Sequence, residues 1–78
     1  MKSAFQKIVE KAIAANRGKH PAIRSPHEGL ALIQEEVFEL QQEVYSRKSK
    51  RDKHRMLNEL TQIAAMCEIM AQDLERKD

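Results

Sequence analysis

Glu36, Glu39 and Glu43 recur at three- and four-residue steps. On a helix this spacing puts three carboxylates on one face, with neighbouring Cβ atoms about 5–6 Å apart. Like charges so placed repel, and a helix that carries them beside an apolar seam is arranged to hold a cation. Oxygen ligands alone select a hard divalent ion, Mg²⁺ or Mn²⁺. Glu35 adjoins the stripe, Glu59 brings a further carboxylate from later in the chain, and Gln62, one helical turn on, offers a carbonyl oxygen. The competing reading is a solvated acidic face, the usual fate of a charge run.

Three helices must position these groups. The first is expected at about 3–16, with Phe5, Ile8, Val9, Ala12 and Ile13 on one face, stopping at Gly18 with Pro21 beyond. Ser25-Pro26-His27-Glu28 reads as a helix start: Ser25 as N-cap, Pro26 at the first helical position, Glu28 completing a capping box. The second helix, 26–47, carries Leu30, Ile33, Val37, Leu40 and Val44 as its packing seam. A turn near Lys48, with Ser49 and Asp52 as a second capping box, leads to the third helix at about 50–76. Its seam is Met56, Leu60, Ile63, Cys67, Met70 and Leu74. A hairpin turning there brings Glu36 and Glu39 level with Glu59.

The composition fits this class. The 78 residues are 41% hydrophobic and 33% charged, without alternating β-branched runs, which predicts one all-α domain. The apolar arc of the third helix, widened by Leu57, Ala64, Met66, Ile69 and Ala71, exceeds what three short helices cover. A homo-oligomer with a four-helix core, dimer or tetramer, is expected. The lone Cys67 excludes a disulfide within the chain and reads as a small core hydrophobe in a reducing compartment. Charges interrupt the apolar positions of the first helix, and no run approaches the ~20 apolar residues of a membrane span. The expected location is cytoplasmic, with no membrane partner. The net charge is only +2, yet six Lys or Arg fall within residues 47–55.

At Glu35-Glu36-Val37-Phe38-Glu39 the chain resembles the EExxE motif of the MazG-like, all-α nucleotide pyrophosphohydrolases. The flanks HEGLALIQEEVFELQQEV and NELTQIAAMCEIMAQDL are similar to a small phage and bacterial branch of that superfamily, over roughly Ser25 to Leu74. One departure stands out: the aspartate of the family's second motif, ExxD, is Gln62 here, removing a negative charge.

The resemblance implies Mg²⁺-dependent hydrolysis of a nucleoside triphosphate between the α and β phosphates, giving the monophosphate and pyrophosphate. It implies Glu36, Glu39 and Glu59 as metal ligands with Gln62 in the fourth position, and Glu35 as the group that orients or deprotonates the attacking water. Arg24, His27, Lys53 and Arg55 are the candidate phosphate-binding groups. Two other functions fit the residues. A homologue that keeps the bundle and has lost hydrolysis is favoured by Gln62. A nucleic-acid or partner-binding module would use the basic turn at 47–55, but that block lacks interleaved aromatics, which argues against nucleic acid.

Overall fold

Helix boundaries follow from local capping chemistry. In the computed structural model, which describes residues 1–19, 21–46 and 52–76, the chain forms α1 (Ala4–Lys19), α2 (Pro26–Val44) and α3 (Lys53–Arg76), with no strand among the described residues. Ser3 and Gln6 form a reciprocal box at the head of α1: the Gln6 N–H donates to Ser3 Oγ at 3.1 Å and the Ser3 N–H to Gln6 Oε1 at 2.7 Å. At α2, extended Ser25 accepts from the Glu28 N–H at 3.1 Å, as expected of an N-cap. The return bond is displaced by one residue, because Glu28 Oε1 accepts from the Arg24 N–H at 3.3 Å instead of from Ser25.

Three expected boundaries shift. The first helix does not stop at Gly18, whose backbone has no positive φ; it runs on to Lys19 because Arg17 is anchored. The Arg17 guanidinium lies 2.9 Å from Asp73 Oδ1 and donates to Gln72 Oε1, also at 2.9 Å. The second helix ends at Val44, where the Tyr45 N–H bonds Gln41 O at 3.0 Å and Ser46 Oγ caps Glu43 O at 2.6 Å. The third begins at Lys53 because Asp52 is itself the cap, its Oδ1 accepting from the His54 and Arg55 N–H groups at 2.9 and 3.3 Å. Ser49, the expected cap, and most of the basic turn lie outside the described residues.

Both α1 and α2 pack on α3, and not on each other. Contacts between α2 and α3 run in opposite chain order. Glu43 Oε1 accepts the Asp52 N–H at 2.9 Å, Glu36 and Glu39 meet Glu59, and Gly29 abuts Met70. The buried line of α3 is Thr61, Ala65, Ile69 and Asp73, a four-residue step different from the expected seam. It is central because α3 must face two helices at once. Ile23, in the α1–α2 connection, closes over it. Of its two polar members, Thr61 Oγ1 donates to Leu57 O at 2.8 Å and Asp73 Oδ2 accepts the Ile23 N–H at 2.9 Å, while Asp73 Oδ1 makes no hydrogen bond and lies 2.9 Å from the Arg17 guanidinium. Cys67, expected in the core, is exposed, because it lies on the side of α3 that neither neighbour covers. No helix of the described residues is long and apolar enough to cross a membrane.

Candidate metal centre

The acidic residues of α2 converge on α3. Glu36 and Glu39 are one turn apart, and the antiparallel packing sets Glu59 level with them, so that one carboxylate oxygen from each lies within 4.8 Å of the others. Glu43 is not part of this group, since its Oε1 is taken by the Asp52 N–H at the turn. Glu59 Oε2 is buried with no hydrogen-bond partner among the described residues, a costly state for a carboxylate oxygen.

All three groups hold their protons above the ordinary glutamate range. Burial raises Glu36 first, partly offset by its contact with Glu59, and the charges of Glu39 and Glu35 push it further. Glu39 is raised chiefly by the adjoining Glu59 carboxylate. Burial dominates at Glu59, with the charges of Glu36 and Glu43 adding to it. The donors are all hard oxygens, the set a divalent cation takes, and such an ion would give Glu59 Oε2 a partner and offset the mutual repulsion.

Beside the cluster lies a cleft of about 340 Å³, between the end of α1, the connection and the inner sides of α2 and α3. It exists because α1 and α2 do not touch. Ile23, Leu32, Met66 and Ile69 give it apolar walls, while Glu35 and Glu36 edge it on the side of the cluster. Glu35 is exposed, placed to meet solvent and the cleft together. Gln62 also lines the cleft, but its Oε1 accepts from Asn16 Nδ2 in a long 3.5 Å contact, so the carbonyl expected near the cation is shared with an amide of α1.

The expected phosphate-binding groups are not among the residues lining the cleft. Arg24 and His27 are exposed at the head of α2. Lys53 and Arg55 are exposed in the first turn of α3, on the far side of Glu59, with Arg55 Nε 3.8 Å from Asp52 Oδ2. The cation that does line the cleft is Arg17, already engaged by Asp73 and Gln72. Sequence reasoning missed Arg17 and Asn16, which lie outside the motif-bearing segment. Their signal was weak: two polar residues at the end of an amphipathic helix, where solvent is the ordinary expectation.

The chain matches no family profile, no curated protein and no solved structure.

Proposed function

We propose that the chain is a MazG-like nucleoside triphosphate pyrophosphohydrolase that cleaves with water between the α and β phosphates, releasing the monophosphate and pyrophosphate. The observation that carries this reading is the meeting of Glu36, Glu39 and Glu59, from two helices, at the edge of an apolar cleft. The EExxE pattern, to which Glu36 and Glu39 belong, and its flanks add the resemblance in support.

In this reading Glu36, Glu39 and Glu59 hold Mg²⁺ or Mn²⁺, with Gln62 contributing an amide oxygen. An ion held there would supply neutralisation of phosphate charge and a lowered pKa for water. Glu35 takes the proton of the attacking water, as a carboxylate facing both solvent and cleft is placed to do. Leu32, Met66 and Ile69 hold the nucleoside and exclude water around it. Arg24, His27, Lys53 and Arg55 would meet phosphate charge only in substrate poses that extend beyond the cleft. A second reading, a relative that binds nucleotide without hydrolysing it, is favoured by one observation: Gln62 is neutral and its carbonyl oxygen is shared with Asn16.

Pyrophosphate release from a panel of nucleoside triphosphates with Mg²⁺ or Mn²⁺ separates the two. Hydrolysis by the wild type should fall about 10²–10⁴-fold in Glu35→Gln, while Glu36→Gln should raise the metal concentration required. Gln62→Asp restores a charged ligand and should tighten metal binding about tenfold, the equivalent of about 1.4 kcal/mol. Silence of all four proteins with metal bound selects the binding relative. Absence of divalent-ion binding to the wild type at millimolar metal, by calorimetry, makes the cluster a solvated acidic face.

A further inference from the structure

Two opposite charges line the cleft at the end away from the carboxylate cluster: Arg17, from the last turn of α1, and Glu28, from the first turn of α2. They do not pair with each other, since the ionic partner of Arg17 is Asp73. The contacts with α3 fix their level. Arg17 reaches Gln72 and Asp73, and Gly29, beside Glu28, abuts Met70. Glu36 and Gln62 mark the other end. Gln62 and Ile69 lie about 10 Å apart along α3, at 1.5 Å per residue, with Leu32 and Met66 as the apolar walls between the two ends.

Both charged groups are held from behind. Gln72 Oε1 accepts from Arg17 Nη2 at 2.9 Å and Gln72 Nε2 donates to Glu68 Oε1 at 3.0 Å, while Asp73 Oδ1 lies 2.9 Å from Arg17 Nη1. These contacts engage only part of the five-donor guanidinium, and its Nε–H has no partner among the described residues. Glu28 Oε1 accepts the Arg24 N–H at 3.3 Å, which steadies the carboxylate and leaves lone pairs on both oxygens. Side chains locked in this way on helices are what recognition of a planar ligand requires.

We propose that this end of the cleft reads guanine, with Glu28 accepting from N1–H and the 2-amino group and Arg17 donating to O6 and N7. The inference rests on the reading of the cleft as a nucleotide site and names the base. Guanine is the one common base with two adjacent donors and two adjacent acceptors, which match a carboxylate and a guanidinium fork respectively. Uracil has a single donor flanked by acceptors, and adenine has no carbonyl for Arg17. The ring faces then lie against Leu32, Met66 and Ile69, and the sugar directs the phosphates toward Glu35 and Glu36. A cleft of about 340 Å³ is at the small end of ligand pockets, the size for one nucleoside.

NMR titration in chelator with nucleosides tests the base without metal or turnover, and without a phosphate for the metal-free cluster to repel. Guanosine should bind about ten- to a hundredfold more tightly than adenosine. Inosine, which lacks the 2-amino group, and 7-deazaguanosine, which lacks N7, should each bind about tenfold more weakly than guanosine. In Glu28→Gln the advantage of guanosine over inosine should vanish while that over 7-deazaguanosine remains. Arg17→Lys, which keeps a cation beside Asp73, should show the reverse. A residue that only supported the fold would weaken all four ligands together. Should either variant fail to fold, the four ligands on the wild type decide. Equal affinity for guanosine and adenosine, no binding of guanosine at millimolar concentration, or a guanosine preference unaltered in both variants overturns the proposal. Hydrolysis of triphosphates without base preference sinks the guanine assignment alone, whereas guanine-selective binding by a chain that releases no pyrophosphate sinks hydrolysis alone.

Discussion

Replacing Glu59 with Gln should stabilise the metal-free protein, against the usual direction for a half-buried, well-packed position. Glu36, Glu39 and Glu59 oxygens lie within 4.8 Å of one another. Two unit charges at that distance repel by about 0.9 kcal/mol in bulk water and about 3.5 kcal/mol at an effective dielectric of 20. Glu59 and Glu36 are only partly buried and salt screens the pair, so the lower part of the range applies. A gain of about 1 kcal/mol is expected at pH 7, which raises Tm by about 4–8 °C in a domain of this size. The new amide can also donate to Glu36, giving the buried side chain a partner.

The pH dependence fixes the cause. All three carboxyls titrate above their ordinary value, so between that value and the raised ones the native state holds more protons than the unfolded chain. Wild-type stability from this cluster then falls as pH rises. The advantage of Glu59→Gln should be smallest near pH 4, grow as pH rises through the raised values and level off above them, in thermal melts followed by circular dichroism with chelator present. With Mg²⁺ at about a hundred times its Kd the order should reverse, because binding to the native state adds about 2.7 kcal/mol to the wild type. A variant less stable than wild type at pH 7 in chelator, or an advantage that grows toward acid, would refute the reasoning.

Two further outcomes test the packing. Arg17→Met should lower Tm by several degrees, because it strips the guanidinium from buried Asp73, whereas Lys2→Met, which breaks only the exposed pair with Glu10, should leave Tm nearly unchanged. The Ile23 N–H, followed by Arg17, holds the Asp73 carboxyl below its ordinary range, so its contribution is lost as pH falls through that depressed value, a loss that acid melts of Arg17→Met should show muted. Gly29→Ala should destabilise the wild type, since a Cβ there would sit 2.7 Å from Met70 Sδ and 3.0 Å from its Cγ. In a Met70→Ala background the same change should stabilise by up to about 1 kcal/mol, the helix propensity gained once the obstruction is gone.

The legible parts of this molecule were those written in local chemistry. Ser25 as the cap of α2 needs only its own side chain and the Glu28 N–H. The level meeting of Glu36 and Glu39 with Glu59 needs only helix rise and a turn near Lys48, so spacing alone anticipated the cluster. Asp73 and Arg17 were illegible, because a buried ion pair fifty-six positions apart depends on how α1 lies on α3, which no short-range pattern encodes. Gly18 misled for the same reason: a residue that ordinarily ends helices is carried through by an anchor beside it.

Cys67 and the α3 seam show how a correct sequence observation can be assigned to the wrong contact. The periodicity of Leu60, Cys67 and Leu74 marks a packing face, but within the protomer that face is open, and the buried line falls instead on Thr61, Ala65, Ile69 and Asp73. A helix that packs against two neighbours at once carries apolar residues over much of its circumference. Hydrophobic spacing then says that burial occurs without saying by what. Polar residues discriminate where apolar ones do not. Thr61 and Asp73 mark the inside because their hydrogen bonds close within the protomer. Leu57, Leu60 and Leu74 of α3 and Leu30, Val37 and Val44 of α2 make no such bond, and all six stay more than a third exposed.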